Sequence, residues 1–131
     1  MTISKEQQTS IDATTFVEMV GSLCKPGHSI VESLTPRRAH MLHMAVGVSG
    51  EAGELLEAIK KHVIYCKPLD RTNLVEELGD LEFYMEGLRQ GADITREETL
   101  VANKQKLLGK RYASGSYSND QATNRADKVV V

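Results

Sequence analysis

The stretch Leu42–Lys61, LHMAVGVSGEAGELLEAIKK, decides the fold. Met44, Ala45, Val48, Ala52, Leu55, Leu56 and Ile59 recur at the 3–4 spacing of one buried helical stripe, which Met41 and Val63 extend at either end. Upstream, TPRRAH supplies a helix start. Thr35 suits the capping position, and Pro36 suits the first helical position, where its missing N–H is not needed. One long helix is expected from there to about Tyr65, ahead of CKPLD.

Working outward, Leu74, Leu78, Leu81, Met85 and Leu88 repeat the stripe in a helix expected over Thr72–Gln90, stopping at Gly91. The linker CKPLDRT is short, so these two helices are expected to pack as antiparallel neighbours. TREE, with Thr95 and Glu98, is a capping box opening a further helix to about Tyr112. Near the N-terminus Phe16, Met19, Val20 and Leu23 mark a short amphipathic helix that Pro26 and Gly27 end. The expectation is an all-α chain with a four-helix-bundle-like core. It is read as one domain over residues 1–118, with the motif-bearing core at 36–112 and a polar, irregular, mobile tail at 119–131.

Composition narrows the function. Sixteen Lys+Arg against eighteen Asp+Glu give a net charge of −2, which offers no global field for nucleic acid or membrane. Cys24 and Cys66 belong to no C-x-x-C or Cys/His cluster and read as reduced thiols. The opening MTISKEQQTS has no apolar core of a signal peptide, and no stretch approaches the ~20 apolar residues of a membrane span. A soluble, cytoplasmic setting is the expectation, and any function must be local.

The local feature is acidic. On a helix turning about 100° per residue, Glu51 and Glu54 stand roughly 60° apart on the flank of the apolar stripe, while Glu57 points away. Glu77 and Asp80 repeat that spacing beside the Leu stripe of the next helix, with Glu76, Glu82 and Glu86 toward solvent. One E-x-x-E is ordinarily a solvated helix face, since Glu is a good helix former. Two pairs at the inner edge of packed antiparallel helices repel far more than exposed pairs do, and a cation is the natural compensation. All-oxygen donors without E-x-x-H or thiolate indicate hard Mg²⁺, with Mn²⁺ as a substitute. Gly47, Gly50, Gly53 and Gly79 beside the acids suit close approach of backbone, metal or ligand.

Mg²⁺ held with open positions commonly serves substrate phosphates. Asn103, Lys106 and Lys110 recur at i, i+3, i+7 on one face of the last helix and are followed by Arg111 and Tyr112. KQKLLGKR is by itself a basic helix end that suits the dipole; beside an acidic metal site it reads as counter-charge for a polyphosphate.

LHMAVGVSGEAGELLEAIKK, then NLVEELGDLEFYMEGL, then NKQKLLGKRY resemble the MazG-like all-α nucleoside triphosphate pyrophosphohydrolases. That superfamily also includes dimeric dUTPases, dCTP pyrophosphatases and phosphoribosyl-ATP pyrophosphohydrolase. The resemblance covers about residues 39 to 118, and its signature, E-x-x-E then E-x-x-D, falls on Glu51, Glu54, Glu77 and Asp80. It implies a homodimer or homotetramer with Mg²⁺ on those four positions, and hydrolysis of an NTP or dNTP to the monophosphate and pyrophosphate. It places Asn103, Lys106, Lys110, Arg111 and Tyr112 on phosphates and sugar, and matches Lys60 and Lys61 to the lysines closing the first motif helix, where a plain helix-end charge is an equal reading. Many members continue from RY into a Pro-x-Gly-aromatic turn; here Ala113 replaces the proline and the aromatic moves to Tyr117.

The chemistry so implied is metal-assisted attack of water, with one of Glu51, Glu54 or Glu77 taking its proton and Lys106, Lys110 and Arg111 offsetting charge on the leaving pyrophosphate. Base choice is left to side chains of the first helix, to Met41, His43 or Met44, or to a partner subunit. A purine deoxynucleotide such as dGTP is the expectation, because stand-alone phage and bacterial members often clean or reshape the dNTP pool. Alternatives are phosphoribosyl-ATP, dUTP or dCTP at the same site, or a non-catalytic helical protein that binds metal or nucleotide for regulation.

Overall fold

The computed structural model describes residues 2–128, and the three terminal valines of the expected tail lie outside them. Among the described residues every regular element is helical, in agreement with the all-α expectation. The chain forms two compact units, one ending at Thr35 and one beginning at Pro36.

The first unit holds α1 (Lys5–Ala13), α2 (Phe16–Leu23) and α3 (Gly27–Glu32). The expected amphipathic helix is α2. α1 was not anticipated, although Ser4 and Gln7 form the same reciprocal capping box that Thr15 and Glu18 form for α2.

The second unit is built on α4 (Pro36–Val63) and α5 (Arg71–Ala92), an antiparallel hairpin. α4 ends where Lys60 O accepts from both Ile64 N–H and Tyr65 N–H at 2.8 and 3.4 Å. The turn then closes through His62 Nδ1–H to Lys67 O at 2.7 Å, with Cys66 in a left-handed conformation at φ 51°. Asp70 caps α5 by accepting from Asn73 N–H at 3.0 Å.

Gly91 does not stop α5 as expected. A Cβ there would stand 2.9 Å from His40 Cδ2 and 3.1 Å from Met41 Cγ, so the glycine serves the close crossing of the two helices. The helix ends instead at Asp93, left-handed at φ 57°. Arg37, at the start of α4, secures this end: Nε donates to Gly91 O at 2.7 Å and Nη2 pairs with Asp93 at 2.8 Å. His40 Nε2–H donates to Gly87 O one turn further in, at 3.0 Å. Gly47 and Gly87 admit Tyr84 and Met44 where a Cβ would overlap them, whereas Gly50, Gly53 and Gly79 face open space.

Met44 is the one buried hydrophobic residue among those described, at 6 % exposure. Leu42, Val46 and Leu56 on α4 and Val75, Leu78 and Phe83 on α5 are exposed.

α6 (Arg96–Lys106) opens with the expected capping box of Thr95 and Glu98. It then widens into a π turn, Leu107–Arg111, marked by Tyr112 N–H donating to Leu107 O at 2.7 Å. Where the sequence suggests an irregular tail, α7 (Asn119–Asn124) and a 3₁₀ turn (Ala126–Lys128) follow. Ser118 caps α7 by accepting from Gln121 N–H at 3.1 Å, and the 3₁₀ turn packs against the π turn.

Candidate active site

Antiparallel register sets α4 positions against α5 positions in order: His40 with Gly91, Met44 with Gly87, Gly47 with Tyr84. Continued toward the α4–α5 turn, the same register sets Glu51 against Asp80 and Glu54 against Glu77. The helical spacing anticipated in the sequence therefore becomes a cluster. Carboxylate oxygens of Glu51, Glu77 and Asp80 lie within 4.8 Å of one another. Glu51 and Glu77 are partly buried and Asp80 is exposed. Glu54, also exposed, stands beside the trio and lines a groove of about 150 Å³ with Glu57, Ala58, Lys61, Asn73 and Glu77, so Glu57 borders the site and does not point away from it as expected.

Electrostatics records this crowding. Partial removal from water, followed by the charges of Glu54, Asp80 and Glu77, raises the Glu51 carboxyl above the ordinary carboxylate range. Glu77 is raised in the same way, by lost hydration and then by Glu54, Asp80 and Glu76, with Lys61 pulling the other way. None of Glu51, Glu77 and Asp80 has an ion-pair partner within 4 Å among the described residues. Crowded carboxylates short of a counter-charge, with oxygen donors only, fit a hard divalent cation.

The two lysines closing α4 separate. Lys60 Nζ pairs with Glu57 at 3.2 Å and sits 5.4 Å from the Tyr65 ring centroid, and Lys60 itself lines neither groove beside the acids. Lys61 lines the groove with Glu54 and Glu77, and it also lines an adjoining groove of about 260 Å³ with Lys67, Pro68, Asp70 and Asn73. Helical spacing contains this distinction: Lys60 follows Glu57 by three residues, and Lys61 follows Glu54 by seven. Asn73, four residues before Glu77, is a groove residue that the sequence reading missed for want of any charge.

The C-terminal block lies elsewhere in the chain. Asn103 and Lys106 line an open groove of about 730 Å³ with Ile94, Glu98 and Thr99. Lys110 and Arg111 lie on the π turn, so they do not continue the α-helical face of Asn103 and Lys106. Arg111 Nε and Nη2 each donate to one oxygen of Asp127 at 2.7 Å, an acid that sequence reading assigned to the tail. The Tyr112 and Tyr117 rings approach to 5.8 Å at 38°, so the displaced aromatic comes back onto Tyr112. None of this block lines the two grooves beside the acids.

Of the residues considered for base choice, Met44 is committed to the core under Gly87 and Met41 lies against Gly91. His43 is exposed and meets the Tyr84 ring edge-on at 6.3 Å.

The sequence profile of the MazG nucleotide pyrophosphohydrolase domain matches residues 40–109, from the first turns of α4 into the π turn. Neither curated proteins nor solved structures yield a match to the chain.

Proposed function

The chain belongs to the MazG nucleotide pyrophosphohydrolase family, and from that premise we propose that it is a divalent-metal-dependent enzyme splitting a (d)NTP between the α and β phosphates. The observation that carries this reading is the convergence of Glu51, Glu77 and Asp80 within 4.8 Å across the hairpin, with Glu54 beside them. Those residues would hold Mg²⁺ or Mn²⁺, which when bound neutralises phosphate charge and lowers the pKa of a coordinated water.

The chain's own groups do the rest. Of Glu51, Glu54 and Glu77, we assign the proton of the attacking water to Glu54, a reading supported by its standing outside the trio. The water oxygen then bonds to the α phosphorus and the α–β bridging bond breaks, the electron pair leaving with pyrophosphate. Lys61 faces the same groove and offsets charge on the polyphosphate. Asn103, Lys106, Lys110, Arg111 and Tyr112 are proposed to reach phosphate and sugar.

They reach it within a homo-oligomer. Among the described residues a single buried hydrophobic side chain is too little core to offset the chain entropy of folding. A second copy covering the exposed apolar side chains of α4 and α5 would supply that core.

The test is pyrophosphate release from every NTP and dNTP with Mg²⁺, with Mn²⁺ and after chelation, starting with dGTP and including phosphoribosyl-ATP, dUTP and dCTP. Turnover that survives chelation, or a Glu54→Gln variant with wild-type turnover, would refute the assignment. Nucleotide binding without pyrophosphate release would identify a regulator instead.

A further inference from the structure

Beyond the family-matched residues, the chain returns to grip one of its own proposed phosphate contacts. The π turn inserts an extra residue into the end of α6 and rotates every later side chain relative to Asn103 and Lys106. Arg111, its last residue, is thereby carried to the 3₁₀ turn, which packs against it. There the guanidinium meets Asp127 in a two-bond fork, both bonds 2.7 Å. The Asp127 side chain is 0 % exposed and that of Arg111 is 19 % exposed. Arg125 Nε adds a second cation 3.7 Å from the same carboxylate.

The fork uses the Nε edge of Arg111 and two of its five N–H donors, and the Tyr112 hydroxyl adds a weaker contact to the same guanidinium. A surface carboxylate imitating phosphate would be exposed and would exchange readily. This one is enclosed, shared between two arginines, and bound to the edge nearest the backbone.

We propose that Asp127 is a positioning residue that locks Arg111 with its remaining guanidinium edge toward the nucleotide phosphates, making the segment from Ser118 to Lys128 part of the active site. The proposal rests on the reading that Arg111 contacts phosphate. An unheld arginine must give up rotamer freedom on binding nucleotide, and a held one has already done so.

The experiment is steady-state kinetics of the full chain and its Asp127→Asn, Arg111→Ala and doubly substituted variants, on the nucleotide turned over best. Asp127→Asn is expected to raise KM about tenfold with kcat changed much less, and to have no further effect once Arg111 is Ala. Asp127→Glu should recover part of the loss, and it carries the test if Asp127→Asn fails to give a cooperative melt. An unchanged or lower KM in Asp127→Asn overturns the proposal, the lower value showing a carboxylate that competes with phosphate. A full KM increase on adding Asp127→Asn to Arg111→Ala overturns it as well. Wild-type KM in Arg111→Ala removes its premise, while loss of turnover in Glu54→Gln leaves the family chemistry standing.

Discussion

Gly87 of α5 lies so closely against Met44 of α4 that a Cβ on the glycine would overlap the thioether sulfur. Met44 is also the buried hydrophobic residue of the hairpin, so it has little room to retreat. Gly87→Ala is therefore expected to destabilise the fold by about 1–3 kcal/mol, the usual cost of overpacking. Gly91→Ala should cost less, because it meets the His40 and Met41 side chains at 2.9–3.1 Å and gains up to about 1 kcal/mol in helix propensity. Urea unfolding of both variants checks the order; equal midpoints would mean that Met44 has room to move aside.

Glu51 and Glu77 couple stability to pH and to metal. Each carboxyl is raised in the folded state, so each contributes stability that is complete below the ordinary carboxylate pKa and is lost as pH rises through the folded value. A divalent cation competes with those protons and reverses the trend. The Mg²⁺-induced rise in Tm should thus be several degrees near about pH 8 and much smaller near about pH 5. Glu51→Gln in chelator should melt higher than the wild-type chain, and it should lose most of the Mg²⁺ response. A Tm shift independent of pH would place the ion elsewhere.

Asp127 runs in the opposite sense. The Arg111 fork holds its carboxyl well below the usual carboxylate range, so its stabilisation is present above the unfolded pKa and is lost as pH falls through the folded value. Protection of the Asn119–Asn124 amides against hydrogen exchange should therefore drop in Asp127→Asn and in acid, with no loss in the α4–α5 hairpin. Equal loss across both regions would show that the tail is not a separate local unit.

Lys61 and Lys60 are adjacent in sequence and differ in what they face. Lys61→Ala is expected to lower kcat/KM about tenfold or more, through charge no longer offset on the polyphosphate. Lys60→Ala, which removes an exposed pair with Glu57, should change it less than about twofold. Equal effects would show that neither lysine is special to the groove.

Much of this was legible in the chain because helix periodicity is a local property. The stripes through Met44 and Leu78 located α4 and α5, and the short linker imposed the antiparallel pairing that brings Glu51, Glu77 and Asp80 together. What was hidden depends on partners distant in sequence. Gly91 resembled a helix stop because its neighbours His40 and Met41 lie some fifty residues earlier. Asp127 resembled tail because nothing near it in sequence announces Arg111. The π turn was hidden as well, because it shifts the register of NKQKLLGKRY without altering its composition.

The last prediction concerns assembly. Leu42, Val46 and Leu56 are exposed on α4, and Ser49 and Gly53 fall between them at heptad spacing. Such a stripe, with small residues at its middle and open space over Gly53, suits close approach by another helix. A monomer would leave those leucines and valines in water, at about 25 cal/mol for each Å² of apolar surface left uncovered. The mass in solution is therefore expected to be at least twice the 14.5 kDa of one chain by light scattering. Val46→Glu with Leu56→Glu should shift it toward monomer, lower Tm and reduce turnover together, since burying a carboxylate in such a seam costs more than the surface can return. A doubly substituted chain that keeps its mass but loses activity would move the interface off α4. One that becomes monomeric yet keeps full turnover would show that each chain carries a complete site.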